Sequence, residues 1–173
     1  MKIAIVYTSR SGVTEECAQL LRRELKNHDV DVFNMASADA ELEKYDLVVI
    51  GFPIRMGKAV SEARAYFKKN LERLSEIPVA FYVCCGFVDC FEGYIKKAIP
   101  ACLLEKAVAV SCFGGLIDPS RVKGFDRILL KAIRTEILSG GVNADQRDDM
   151  CLPTIMEHNI VQFAEKIKEI KEK

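Results

Sequence analysis

The sequence lacks several features that would point to common classes of partner. It contains no tryptophan, and lysine plus arginine equal aspartate plus glutamate at 25 each in 173 residues. A balanced charge creates no overall field that attracts nucleic acid, an anionic membrane surface or a cationic substrate. We therefore expect no nucleic-acid partner. Evidence for any other partner must come from individual motifs rather than from the overall charge.

Long apolar runs are also missing. No stretch approaches the roughly 20 residues that a membrane-spanning helix needs. The N-terminal run Ile3–Val6 is too short for the apolar part of a secretory signal, and a buried strand explains it better. We expect a cytoplasmic protein without a transmembrane segment, with peripheral contact to a membrane as an alternative.

The cysteines lack the spacing of common metal sites. No C-x-x-C pair occurs, and neither zinc-ribbon nor iron–sulfur ligand spacing is present, so we expect no metal. Adjacent Cys84 and Cys85 would close only a strained disulfide, which makes a catalytic dithiol the less favoured alternative to simple burial. The seven residues are Cys17, Cys84, Cys85, Cys90, Cys102, Cys112 and Cys151.

Five short apolar runs alternate with amphipathic segments, which is typical of a doubly wound parallel sheet with helices on both faces. The predicted strands are Ile3–Tyr7, Val30–Phe33, Leu47–Ile50, Val79–Cys84 and Val108–Phe113. Four are nearly continuous in apolar residues, as expected for burial on both faces. Asp31 interrupts the second strand and places it at an edge. We predict a single α/β domain over residues 1–173 with five parallel strands.

Apolar side chains recur at three- and four-residue steps outside the strands, which predicts amphipathic helices. We interpret these stripes as core rather than as cofactor contacts. Their members are Cys17, Leu20, Leu21 and Leu25; Val60, Ala63, Phe67, Leu71 and Leu74; Phe125, Leu129, Ala132, Ile133 and Ile137; and Ile160, Phe163, Ala164, Ile167 and Ile170.

The segment after the first strand is rich in hydroxyl groups. Ligands of open parallel sheets bind beyond the carboxyl ends of the strands, and a helix N-terminus there favours an anion. The segment contains no lysine and matches neither the triphosphate-binding loop nor G-x-G-x-x-G, which favours a monophosphate held by hydroxyls and amides. The alternative is that Thr14 only caps a helix. The candidate residues are Thr8, Ser9, Arg10, Ser11, Gly12, Val13 and Thr14.

Two apolar loops follow the third and fourth strands. Such loops are unusual at the polar end of a sheet unless something flat and apolar lies between them, and an isoalloxazine ring is such an object. The candidate residues are Pro53, Ile54, Arg55, Met56 and Gly57 in one loop and Cys85, Gly86, Phe87 and Val88 in the other.

This constellation resembles the flavodoxin family, whose first loop has the pattern T-x-T/S-G-x-T. Ser9, Ser11, Gly12 and Thr14 fall on that pattern. The resemblance implies a flavodoxin-like fold, an FMN phosphate held by the first loop and a flavin ring between the other two. Carrier flavodoxins usually stack tryptophan and tyrosine on the ring and are acidic, whereas this chain is neutral and has Ile54 and Phe87 nearest those places.

A more specific resemblance is to the flavodoxin-like menaquinone-dependent protoporphyrinogen dehydrogenases. It rests on Val48-Val49-Ile50-Gly51 with Ile54-Arg55-Met56-Gly57, on Ile77–Tyr82, on Phe125-Asp126-Arg127 with Ser139-Gly140-Gly141, and on the last helix. The resemblance implies an oxidoreductase of haem biosynthesis that passes electrons from a tetrapyrrole through FMN to a quinone. The segment from Gly86 to Glu105 is shorter and less basic than in that family.

Arg55 is the candidate catalytic residue, since its guanidinium would stabilise negative charge on a reduced flavin or pair with a substrate carboxylate. The alternative for Arg55 is an ordinary surface salt bridge. A phosphoacceptor receiver domain shares the strand order, but it requires an acidic cluster after the first strand where this chain has Thr8 and Ser9. An electron carrier that serves a redox partner protein is the alternative function.

Overall fold

The computed structural model describes residues 1–36, 41–116, 118–121, 127–128, 131 and 154–170. Within them lie six strands: β1 Lys2–Tyr7, β2 Asp29–Asn34, β3 Leu47–Arg55, β4 Lys58–Ala59, β5 Val79–Cys84 and β6 Ala109–Cys112. The helices are α1 Val13–Glu24, α2 Ser61–Glu76, α3 Phe91–Ala98, α4 Ala101–Glu105 and α5 Glu157–Lys168. Short 3₁₀ turns cover Leu42–Lys44, Val88–Cys90 and Pro119–Arg121.

The sheet confirms the predicted α/β class and the five parallel strands. Their order is β2-β1-β3-β5-β6, and all four adjacent pairs are parallel. The predicted edge position of β2 is confirmed. A sixth strand was not predicted: β4 is two residues long and pairs antiparallel with the end of β3.

The core lies in two layers, one on each face of the sheet. Alternate residues of β5 divide between them because successive side chains of a strand point to opposite faces. Phe81 and Val83 pack with α2, α3 and α4, whereas Ala80 and Tyr82 pack with α1 and α5. Both faces of the central strands are therefore buried, as their continuous apolar sequence predicts.

β3 corrects the prediction that an apolar loop begins at Gly51. The strand continues to Arg55, since Gly51, Phe52 and Pro53 stay in register with Tyr82–Cys84 of β5. β1 pairs with β3 only as far as Gly51, so Pro53, which has no N–H to donate, lies past that ladder.

The helical stripes are partly as predicted. Cys17, Leu21 and Leu25 are fully buried. In α5, no more than 1% of the surface is exposed for each of the stripe residues Ile160, Phe163, Ala164 and Ile167. In α2, Leu71 is 38% exposed, which corrects its assignment to the core; Asn70 is buried beside it and donates to the Tyr66 carbonyl at 3.1 Å. The stripe from Phe125 to Ile137 lies outside the residues whose side chains are described.

Candidate functional site

The first loop connects β1 to α1 at the carboxyl edge of the sheet. Gly12 is the N-cap of α1 and has a φ of 82°, a backbone conformation that glycine adopts without steric cost. No side chain caps the helix, so the alternative that Thr14 serves as the cap is wrong. The first-turn amides of α1 therefore have no side-chain acceptor from this cap, which leaves them suited to an anion.

Ser9 holds a buried polar atom without a partner. Its Oγ is inaccessible to solvent, and among the described residues it makes no hydrogen bond. A buried hydroxyl without a partner costs free energy, so such atoms commonly mark a place where a ligand or water completes the hydrogen bonding. The hydroxyl lies in the same loop as the uncapped start of α1, and a phosphate fits both.

A hydrogen bond from Tyr82 of β5, whose side chain lies on the same face of the sheet as α1, fixes the start of that helix. The Tyr82 hydroxyl donates to the Thr14 carbonyl at 3.0 Å, and the Tyr82 ring stacks on Phe113 with centroids 4.6 Å apart. The contact requires glycine at position 51, because a Cβ there would lie 1.9 Å from the Tyr82 ring. Burial raises the pKa of Tyr82 well above its ordinary value, so its hydroxyl remains a donor.

A tight hairpin forms the second wall. Arg55 pairs with Lys58 across Met56 and Gly57, whose φ angles of 49° and 73° are the positive values that two-residue hairpins require. Methionine seldom adopts this conformation. The Met56 side chain is 88% exposed and lines the site together with Pro53.

The third wall is built from the ends of β5 and β6. The Cys85 amide donates to the Gly114 carbonyl at 2.8 Å, which joins the segments that follow these strands. Gly115 then passes so close that a Cβ on it would lie 2.9 Å from the Cys85 carbonyl carbon and oxygen. Phe87, 43% exposed, stands at the rim of this wall.

The three walls enclose a cavity of about 310 Å³, within the range of small-molecule sites. Of the predicted residues, it is lined by Arg10, Ser11, Val13, Thr14, Pro53, Ile54, Arg55, Met56, Gly57, Cys85, Gly86 and Phe87. The fold therefore brings the three segments selected from the sequence around one cavity. Whether these residues bind a cofactor stays a prediction.

Four predicted residues do not line the cavity. Thr8 is buried and donates its amide to the Gly51 carbonyl at 3.0 Å, and the Ser9 hydroxyl is inaccessible to solvent. Gly12 forms the turn into α1, and Val88 packs against the core beside α3.

Four lining residues were missed by sequence reasoning: Cys84, Tyr94, Gly115 and Leu116. Tyr94 lies in α3, a helix that was not predicted from the sequence. The spacing of Phe91, Tyr94, Ile95 and Ala98 is helical and could have revealed it. Glycine and leucine after β6 carry no comparable signal.

Charges at the mouth of the cavity are largely balanced. Arg10 forms an ion pair with Glu62 at 3.0 Å, which joins the first loop to the start of α2. The pKa of Glu62 is lowered chiefly by its backbone hydrogen bond at the helix start, with Ser61 and Arg10 also contributing. Arg121 pairs with Glu16 of α1 at 2.8 Å. Arg55 is half-buried and lines the cavity.

Comparison with known proteins agrees with this architecture. The family described as Flavodoxin domain matches residues 4–141. The chain belongs to the flavodoxin domain family. This flavodoxin-family chain superimposes on flavodoxin 1 from Bacillus cereus with a TM-score of 0.52 and 14% identity, covering 99% of this chain and 100% of that one. It also superimposes on the Fusobacterium nucleatum flavodoxin bound to flavin mononucleotide, with a TM-score of 0.51 and 14% identity over 97% of each chain. These two likenesses establish a shared fold.

A curated relative of the flavodoxin-family chain is the protoporphyrinogen IX dehydrogenase [quinone] of Escherichia coli. The two are 40% identical over 85 residues, which amount to 47% of each chain. The chain thus spans about half the length of the curated relatives it matches. Within the described residues, no helix is long and apolar enough to span a bilayer, and no three potential metal-ligating side chains cluster together.

Proposed function

We propose that this chain binds FMN non-covalently and works as a redox flavoprotein. The main support is the buried Ser9 hydroxyl, which has no hydrogen-bond partner among the described residues. Ser9 belongs to the loop that precedes the uncapped start of α1, and the neighbouring residues Arg10 and Ser11 line the 310 Å³ cavity. Membership of the flavodoxin domain family supports the same cofactor. We further propose that residues 1–173 form one domain.

The phosphate group belongs at the first loop. The Ser9 and Ser11 hydroxyls and the first-turn amides of α1 would donate to it, and the positive end of the helix dipole would stabilise its charge. Because Arg10 is already paired with Glu62, the hydroxyls and amides carry most of this binding. This arrangement suits a monophosphate at the end of a longer ligand.

The flavin ring belongs between the hairpin and the wall after β5. Pro53, Ile54 and Met56 would contact one face, and Cys85–Phe87 would contact the other. Tyr94, behind the hairpin, adds an aromatic side chain to this space. When bound, FMN supplies the electron and hydride chemistry, and the protein supplies orientation and electrostatics. Arg55 would then stabilise the negative charge that accompanies reduction.

We propose an oxidoreductase activity like that of the Escherichia coli relative, which is named as a quinone-linked protoporphyrinogen IX dehydrogenase. The matching half of the chain and the apolar rim formed by Met56 and Phe87 support a large apolar substrate, such as a reduced tetrapyrrole of haem biosynthesis. A quinone would accept the electrons. Because quinones partition into membranes, a peripheral contact with the bilayer belongs to this proposal.

The second candidate is an electron carrier without an organic substrate of its own. The full-length match to the flavodoxin from Bacillus cereus favours it, as that protein has the same overall size and fold. The two candidates share FMN and differ in their partner, which is a redox protein for a carrier and a tetrapyrrole with a quinone for an enzyme.

The first experiment tests FMN binding. Purified protein is titrated with FMN and followed by flavin absorbance and fluorescence, together with Ser9→Ala and Ser11→Ala. We expect micromolar or tighter binding by the native chain and at least tenfold weaker binding by each variant, because each loses a phosphate donor. Ser75→Ala is the matched control, since the exposed Ser75 hydroxyl bonds only within α2. Protein that takes up no FMN would refute the proposal.

The second experiment separates enzyme from carrier. FMN-loaded protein is supplied anaerobically with protoporphyrinogen IX and a menaquinone analogue, and porphyrin fluorescence is followed. Multiple turnovers that depend on the quinone support the oxidoreductase. Reduction by a flavodoxin reductase and reoxidation by a protein partner, with no porphyrin formed, support the carrier instead.

A further inference from the structure

Two buried cysteines meet at the wall of the cavity. The Sγ atoms of Cys85 and Cys112 lie 3.4 Å apart, and both residues are only 4% exposed. Cys85 directly follows β5 and lines the cavity, whereas Cys112 ends the neighbouring β6. The proposed flavin site assigns no role to the Cys112 thiol.

The strand register places Cys85 and Cys112 diagonally across β5 and β6. Cys112 pairs in register with Val83 of β5. Cys85 follows Val83 by two residues, so its side chain lies on the same face of the sheet as those of Val83 and Cys112. A disulfide has an S–S length of about 2.05 Å, and the sulfurs would have to approach by about 1.4 Å.

We infer that Cys85 and Cys112 form a two-electron dithiol–disulfide couple that exchanges electrons with the flavin in the cavity. The inference rests on the proposed function, because FMN is the partner that accepts and returns the electrons. On oxidation of the cysteines, two S–H bonds break and one S–S bond forms. The two electrons and two protons released are those that convert oxidised FMN to its reduced form, so the exchange balances.

The environment of the pair favours this chemistry. The Cys85 thiol donates to the Phe87 carbonyl at 3.6 Å, and either thiol can donate in the 3.4 Å contact between Cys85 and Cys112. The side-chain hydrogen bond with Cys85 lowers the pKa of Cys112 to about 7, and backbone hydrogen bonds with Gly114 and Cys85 act in the same direction. The thiolate is the reactive form of cysteine, so Cys112 provides the nucleophile and Cys85 the sulfur nearer the ring.

A second cysteine pair provides an internal comparison. Cys17 and Cys84 lie on the opposite face of the sheet with sulfurs 3.7 Å apart. Hydrogen bonding to Cys17 and burial raise the pKa of Cys84 well above its ordinary value, which keeps its thiol protonated. The sulfurs of Cys85 and Cys112 are therefore closer than those of Cys17 and Cys84, and the lowered pKa of Cys112 favours the same pair.

The test maps disulfides in the full-length protein at controlled potential. FMN-loaded protein is equilibrated anaerobically with mixtures of dithiothreitol and its cyclic disulfide, alkylated, digested and analysed by mass spectrometry. We expect a Cys85–Cys112 linked peptide, with loss of two alkylatable thiols, in the native chain and in Cys17→Ala. Neither Cys112→Ala nor Cys85→Ala should form it, and the two variants truncate opposite partners of the same pair.

Flavin absorbance provides the second readout. Thiol-reduced protein mixed anaerobically with oxidised FMN should bleach the flavin in step with formation of the linked peptide, and Cys85→Ala should abolish that bleaching. Bound flavin with no Cys85–Cys112 linkage at any potential, or a linkage between Cys17 and Cys84 instead, overturns the inference and leaves the proposed function standing. Protein that takes up no flavin overturns the proposed function, and the spectrum alone identifies that case.

Discussion

The hydroxyl of Tyr82 donates to the backbone carbonyl of Thr14 at 3.0 Å, although the two residues are 68 positions apart in the sequence. Tyr82 reaches this carbonyl because Gly51, on the intervening strand, leaves space for its ring. The central sheet thus fixes the position of α1 and of the loop proposed to hold a phosphate.

Gly51→Ala should destabilise the protein by about 3 kcal/mol, because the new Cβ would overlap the Tyr82 ring and overpack the core. Urea denaturation followed by circular dichroism measures the change. Gly93→Ala is the matched control: it lies in α3 with no atom near its added Cβ and should gain up to about 1 kcal/mol from helix propensity. Equal stability of the two variants would contradict the close approach at Gly51.

Tyr82→Phe should lower the free energy of unfolding by about 1 kcal/mol and weaken FMN binding, since it removes the hydrogen bond that positions the start of α1. Tyr45→Phe is the control, because it removes a hydroxyl that donates to Asp31 at 2.8 Å on the edge strand, away from the cavity. Calorimetric FMN titration should show a loss of affinity for the first variant alone. A comparable loss in both would mean that affinity simply follows stability.

Met56→Asn should raise the free energy of unfolding by about 1 kcal/mol, because asparagine tolerates the positive φ at this position better than methionine does. The side chain is 88% exposed, so little packing is lost. Chemical denaturation without FMN measures the effect. Destabilisation would show that Met56 contributes more through contacts than it costs in backbone strain.

Arg55→Gln should lower the two-electron potential of bound FMN by about 20 mV, equivalent to about 1 kcal/mol, since a positive charge near the ring favours the reduced form. Spectroelectrochemical titration measures this potential. Arg73→Gln is the control, as Arg73 is ion-paired with Glu43 at 3.1 Å and lies outside the cavity. An unchanged potential in Arg55→Gln would exclude Arg55 from the flavin environment.

Cys85→Ala should raise the pKa of Cys112 from about 7 towards its ordinary value of 9.0, because the largest cause of the lowering is the hydrogen bond from Cys85. Ultraviolet thiolate absorbance against pH measures the shift, and Cys17→Ala should leave it in place. A lowered folded-state pKa means that the thiolate contributes stability fully present above about pH 9, and this stability is lost as pH falls through about 7. Native protein should therefore gain stability between these values, and Cys85→Ala should gain less.

Sequence reasoning predicted the parallel strands well, because strands buried on both faces must be continuously apolar. It was less successful in α2, where polarity does not predict burial. Leu71 fits the helical stripe of α2 but is exposed, whereas Asn70 is buried and satisfies its amide on the Tyr66 carbonyl. It also ended β3 too early, since glycine and proline after Ile50 predict a turn, while pairing with β5 holds the strand to Arg55.

The sequence by itself determined the class of fold, the edge that carries the cavity and the segments that meet there, because hydrophobic periodicity and the hydroxyl-rich first loop are local properties. Only the tertiary structure decided which side chains line the cavity, that Tyr94 joins them, and that Cys85 lies against Cys112 rather than acting with adjacent Cys84. Those relationships depend on strand register and on which face each side chain takes, and both are settled by packing between segments far apart in the chain.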